Sequence, residues 1–221
     1  MSQEIKIEKK ASEVIQPKNV AEARQAIRNR QDLSGANLQG MALDNLQAVG
    51  SILRKTYLTD ADLSHGLLVN PNFYRAKVEN AAVHNTVIIG GDLVKTSFKD
   101  TDLSESAIIG ADAEFASFEG ANLRNAGLIS SNLKDTNFRG ADLTNARLAA
   151  SDVTGADFTQ ADLSNANTYN IDWSKAKVPP TPFPEPFVQL PNWAWSVMIG
   201  GVLGIASLVI YALIRRQKKS S

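Results

Sequence analysis

The chain has 221 residues, 43% hydrophobic and 21% charged, a balance that excludes disorder along most of its length. Its 23 basic and 23 acidic side chains cancel, so it lacks the phosphate-neutralising surplus of a general nucleic-acid binder. It contains no cysteine, which rules out a disulfide scaffold, a thiol nucleophile and cysteine-bound zinc or iron–sulfur sites.

Residues 1–18 open with MSQEIKIEKKASEV, which holds no apolar core of signal-peptide length. They read as a charged, mobile segment, in which the alternation of QEIKIEK offers an edge strand as the alternative. Asn19 is suited to cap a helix, and Val20, Ala23 and Ile27 fall on one face of it. Residues 19–31 are therefore expected to form a helical lid on whatever follows.

From Leu33 to Trp173 an apolar residue recurs at every fifth position, giving 29 centres in one unbroken phase. Only Thr168 is polar, and only Ala48 and Ala113 are small. A small residue stands two places before most centres, as at Ala36, Ala61, Ala121 and Ala156, and Asp or Asn often stands one place before. ANLQG, ADLSH, TDLSE and ANLRN show the pattern. A period of five fits neither helix nor strand. Wound into a helix, the centres would advance about 140° per repeat and bury nothing.

The pattern resembles the pentapeptide-repeat family, whose consensus is A(D/N)LXX, over residues 31–177. The resemblance implies an all-β solenoid: a right-handed quadrilateral β-helix in which each repeat makes one side. Four repeats make one 20-residue coil, so the sequence holds about seven coils. The centre and the small residue point inward, and the other three residues point outward. Coils stacked at a strand spacing of ~4.8 Å would give a rod about 35 Å long. Phe98, Phe118, Phe138 and Phe158 fall one coil apart and are expected to stack as a column.

Residues 178–192 follow as a Pro-rich linker; KVPPTPFPEPFVQLP holds six of the eight prolines. Such a segment favours an extended, stiff conformation, and its phenylalanines are expected to cover the last coil. Residues 193–214 carry no charge over 22 positions, with Trp193 and Trp195 at one end and Tyr211 near Arg215 and Arg216 at the other. At 1.5 Å per residue they would span about 33 Å, matching a bilayer core. They are expected to be a single C-terminal transmembrane helix in contact with the lipid bilayer, followed by a basic tail, 215–221. Gly200 and Gly204 have the spacing that lets two such helices pack together. The tail's charges favour a cytoplasmic tail, which would put the repeats in the periplasm or a lumen. Moving seven residues across a membrane is simpler than moving the repeats, so a cytosolic repeat domain is the expected arrangement.

Assigning repeats to four sides places Val49, Val69, Ile89, Ile109 and Ile129 outward on one side, with Leu67 and Val87 beside them. This aliphatic stripe is expected to bind a protein partner or a second copy in a homodimer. The alternatives are a cover formed by the N-terminal segment or the linker, and contact with a membrane surface. On the adjacent side Lys55, Arg75 and Lys95 recur at intervals of 20 as a basic column with Arg54 and Tyr74 beside it. That column reads as a solvated face, with a phosphate site as the alternative.

No catalytic constellation is visible, and the many carboxylates follow from the repeat. His65, His84 and Glu105 are too few for a metal site. Neither a Walker loop nor a dinucleotide loop occurs, so no cofactor is expected. The expected function is that of a membrane-tethered, non-enzymatic scaffold. The alternative is the DNA mimicry by which some members of the resembled family act on a topoisomerase. Residues 31–177 hold 18 acidic and 12 basic residues, which is acidic only mildly.

Overall fold

A computed structural model describes residues 14–184. One helix, α1 (Val20–Arg28), precedes five three-residue strands: β1 (Gln47–Val49), β2 (Leu67–Val69), β3 (Val87–Ile89), β4 (Ala107–Ile109) and β5 (Gly127–Ile129). The strands pair in parallel, in sequence order, each offset from the next by one coil. Single bridges carry the same offset along the other three sides: Asp32 pairs with Ile52, Asn37 with Tyr57 and Ala42 with Asp62. The fold is a four-sided β-solenoid with a short N-terminal helix.

The five-residue unit accounts for its backbone donors in a fixed way. The centre's N–H donates to the next coil, as Leu33 does to Ile52 at 3.1 Å. The N–H two places later does the same, as Gly35 does to Arg54 at 2.8 Å. The N–H just before the centre donates to the preceding coil, as Tyr57 does to Ala36 at 3.0 Å. The inward small residue closes a turn within its own coil, as Ala36 does on Leu33 at 2.9 Å. That leaves the N–H after the centre. Here the Asp or Asn before the centre accepts it: Ser64 donates to Asp62 at 2.9 Å, Thr144 to Asp142 at 3.0 Å and Ser164 to Asp162 at 2.9 Å. The consensus carboxylate or amide is thus a turn cap that leaves no donor orphaned.

The chain turns each corner in the left-handed region. Every fifth residue from Arg30 to Asn170 has positive φ, and most of these residues are Gly, Asn or Asp, which tolerate it.

Each centre from Leu33 to Thr168 is buried, and Trp173 is partly exposed at the end. Phe98, Phe118, Phe138 and Phe158 stack as expected, with centroids 5.1, 5.1 and 4.8 Å apart and planes within 7°. Trp173 closes the column edge-on at 5.2 Å from Phe158. Where the inward small residue is Ser or Thr, its hydroxyl donates to a backbone carbonyl in every case but that of Ser51, as Thr96 does to Phe73 at 2.8 Å, so the core carries few unmet polar atoms.

Helix α1 lies on the first coil. Asn19 caps it by accepting from the Glu22 N–H at 3.0 Å, and Ala23, Ala26 and Ile27 are buried beneath it. Arg24 fastens it by donating to Ala42 O at 2.8 Å and to Asp44 Oδ1 at 2.7 Å. The helix ends at Arg28, three residues short of the expected boundary, and the first corner begins at Arg30. Part of the expected mobile segment is structured: the Ile15 N–H donates to Asp32 O at 2.9 Å, which satisfies a carbonyl on the open edge of the first coil. The proposed edge strand in QEIKIEK lies outside the described residues.

At the other end the repeat slips by one residue. A 3₁₀ turn at Trp173–Lys175 precedes a bridge from Asp157 to Val178, offset by 21 residues. Of the two linker phenylalanines, Phe183 is 59% exposed and Phe187 lies outside the described residues. Among the described residues no helix is long and apolar enough to cross a membrane. The segment 193–214, with Gly200 and Gly204, lies outside them.

Candidate functional surfaces

Two surfaces stand out, and both are produced by local departures from the repeat. The first is the side that carries β1–β5. The position before the centre holds Gln47, Leu67, Val87, Ala107 and Gly127 in place of Asp or Asn. None forms the turn cap, and the chain runs on as a strand through the residue after the centre. Val87, Ile88, Ile89, Ile108 and Ile109 are β-branched, which favours extended backbone.

The sheet brings Val49, Val69, Ile89, Ile109 and Ile129 into one register column, with Leu67 and Val87 in the column beside it. Most are half-buried rather than fully exposed, and Val69 is only 2% exposed. The expectation of an open stripe is therefore too simple. In-register stacking sets each aliphatic side chain against the same kind of residue one coil above and below, about one strand spacing away. Val69, between Val49 and Ile89, is shielded on both sides and sits outside the inner core cluster. What remains is a flat apolar sheet face with tips showing.

The second surface is the corner that follows the next side. Lys55, Arg75 and Lys95 recur there with φ of 56°, 58° and 59°, followed by Phe115 at 58°. Arg75 and Lys95 meet aromatic rings, as do Arg54 and Lys77 beside the column. Arg75 lies 5.2 Å from the Tyr74 ring, Arg54 5.3 Å from the same ring, and Lys95 5.4 Å from Phe115. Lys77 lies 5.5 Å from Tyr57. The sequence shows the basic column; the aromatic partners at Tyr57 and Phe115 escape notice because they come from neighbouring coils.

Elsewhere several charges are paired with one another. Lys99 pairs with Glu119 at 2.9 Å, Arg124 with Asp142 at 2.9 Å, and Lys134 with Asp152 at 3.3 Å. The Thr154, Thr159 and Ser164 hydroxyls hold the Asp152, Asp157 and Asp162 carboxyls below the usual carboxylate range, with nearby backbone N–H donors assisting. These carboxylates belong to turns and ion pairs. The His65 and His84 rings meet edge-on at 5.2 Å, and His84 Nδ1 stands 3.6 Å from Asp102. Among the described residues no group of three or more His, Cys, Asp or Glu could hold a metal ion.

Comparison with known proteins matches the geometry. The family model described as pentapeptide repeats matches eight copies over residues 32–70, 108–145 and 141–172. No curated protein sequence matches the chain. Among solved structures, HetL, involved in heterocyst differentiation regulation in the cyanobacterium Nostoc sp. strain PCC 7120, is 22% identical, with 73% of this chain and 97% of HetL covered and a TM-score of 0.42. A trypsin-treated form of QnrB1, a plasmid-mediated fluoroquinolone resistance protein, is 15% identical over 76% of this chain and 84% of its own, with a TM-score of 0.48. A pentapeptide repeat protein from the Arabidopsis thaliana thylakoid lumen is 28% identical over 63% and 72%, with a TM-score of 0.19. The repeat phase, the bridges at one-coil offset and the family match agree: the chain belongs to the pentapeptide-repeat family.

Proposed function

We propose that the chain is a membrane-tethered, non-enzymatic scaffold that binds a protein partner, or a second copy of itself, through the β1–β5 face. In this reading a right-handed rod of about seven coils is held at a bilayer by residues 193–214 through the Pro-rich linker. The observation that carries it is the face itself: in five successive coils Gln47, Leu67, Val87, Ala107 and Gly127 replace the turn-capping Asp or Asn, and a parallel five-stranded sheet presents aliphatic residues along its length. A rigid lattice holds such a patch without an ordering cost on binding. Removing each tip from water contributes at ~25 cal/mol per Å² of apolar area.

Two experiments test the two parts. Replacing Ile89 and Ile109 together with Lys is expected to leave the β circular dichroism intact and to abolish co-purification of a membrane partner or of a homodimer. A folded double variant that keeps every wild-type partner would refute the interface. Deleting residues 193–221 is expected to release a folded rod from the carbonate-resistant membrane fraction; retention there would place the anchor elsewhere.

A further inference from the structure

We infer that the basic–aromatic corner is a second docking site, shaped for a short acidic segment of a protein partner. The inference rests on the reading of the rod as a protein-binding scaffold, but on a different surface of it.

Strain is the first observation. A left-handed conformation is strained for an ordinary L-residue, and Gly, Asn and Asp bear it best. The other three corners use those residues in most coils. Only here do four successive coils place Lys55, Arg75, Lys95 and Phe115 in it. Backbone strain concentrated at one edge points to a role that the fold does not require.

Uncompensated charge is the second. Lys99, Arg124, Lys134, Arg139, Lys175 and Lys177 all pair with carboxylates. Among the described residues no such pair involves Arg54, Lys55, Arg75, Lys77 or Lys95. These five cations face rings or solvent, and all of them are exposed.

The third is the departure from the family. The family model leaves residues 71–107 unmatched, yet the backbone ladder runs through them without a break. Tyr74, Arg75, Lys77 and Lys95 lie in that stretch. The lattice is kept there while the surface chemistry is changed.

Shape and charge select the ligand. The cations rise along a narrow edge by about 4.8 Å per coil, so Lys55 to Lys95 spans about 10 Å, the length of roughly three extended residues. That matches a short linear anion rather than a plane. Each ring carries a cation at 5.2 to 5.5 Å, whose charge would have to leave water for the ring to enter a bilayer. Residues 31–177 are net acidic, with 18 acidic against 12 basic residues. A long polyanion such as a nucleic acid would run off the patch into that field, whereas a few Asp or Glu residues would fit inside it.

The test uses the full chain in neutral detergent and a fluorescein-labelled deca-glutamate peptide read by anisotropy at low salt. The wild type is expected to bind, with affinity falling at least tenfold between 20 and 200 mM salt. Lys55→Asn, Arg75→Asn and Lys95→Asn combined put a residue that tolerates the left-handed region at each corner. This variant is expected to lose at least tenfold in affinity while its Tm holds or rises. The Ile89→Lys, Ile109→Lys variant is expected to bind the peptide as the wild type does, which separates this site from the sheet face. Equal binding by the triple variant, no binding by the wild type, or stronger competition by a ten-nucleotide oligo-dT than by unlabelled peptide would each overturn the proposal.

Discussion

Three sides of the solenoid and the fourth reach the same stacked register by different means. On three sides each strand is reduced to a single bridge, and in many coils the donor after the centre is met by an Asp or Asn side chain. On the fourth the side chain is missing, and β-branched residues extend the backbone into true strands. The difference teaches that the coil spacing is a property of the shared core. The outer residues are free to choose between polar caps and an apolar sheet, and that choice decides what each surface can bind.

The largest break in the comparison comes from the core that both kinds of side share. Phe118 is fully buried between Phe98 and Phe138. Phe118→Asp places an unpaired carboxylate there, at a cost of several kcal/mol. Loss of the cooperative thermal transition and of the β circular dichroism is expected. A variant with an unchanged Tm would show that the inward phase is wrong.

A cap tests the polar sides alone. Asp157 accepts from Thr159 N at 3.0 Å, also binds the Thr159 hydroxyl, and stands 3.7 Å from Arg139. Asp157→Ala leaves a donor unmet, at a cost of about 1–3 kcal/mol in chemical denaturation. Asp157→Asn, which keeps an acceptor, is expected to lose less. Equal losses would assign the effect to the ion pairs rather than to the turn.

Acid discriminates the two kinds of side without mutation. The Asp152, Asp157, Asp162 and Asp172 carboxyls are held below their ordinary values, first by the hydroxyls of Thr154, Thr159, Ser164 and Ser174. A folded-state value below the unfolded one gives stabilisation that is complete above the unfolded value, about 3.9, and is lost as pH falls through the folded values. Tm is therefore expected to hold from pH 7 to 5 and to fall below about pH 4. Amide exchange near these capped turns should rise before exchange in β3 and β4. Uniform acceleration across the rod would erase the distinction.

The smallest effect lies at the corners of the apolar side. Gly110 has φ of 64° with open space around its Cβ position, whereas a Cβ at Gly90 would overlap Asn70 Oδ1. Gly110→Ala is expected to cost about 1 kcal/mol through the left-handed region alone, and Gly110→Asn less. Gly90→Ala should cost more than either. The ordering is read from denaturation midpoints, and its reversal would mean that corner strain does not govern these sites.

Much of this was legible in the sequence. The phase of five names every inward residue from Leu33 onward, the phenylalanine column and the cap at Asn19, because one apolar position per side leaves the chain no second register. The aliphatic column and the basic column follow from the same count. Contacts between coils are less legible. Val69 is hidden by its neighbours above and below, and Phe115 meets Lys95 across a coil boundary. The corner conformation does leave a signal, the Gly, Asn or Asp at the fifth position, and it becomes informative where Lys55, Arg75 and Lys95 break it.

The ends of the rod behave as two unlike end groups of a polymer. A solenoid with regular open ends could add copies of itself head to tail, since each coil templates the next. Here one end is closed by a helix clamped through Arg24 and by the strap at Ile15. The other closes with a step of 21 residues from Asp157 to Val178. A one-residue shift turns inward side chains outward, so an incoming coil would meet a lattice out of phase. The same single residue that ends the repeat thus sets any coil added along the axis out of register with those before it.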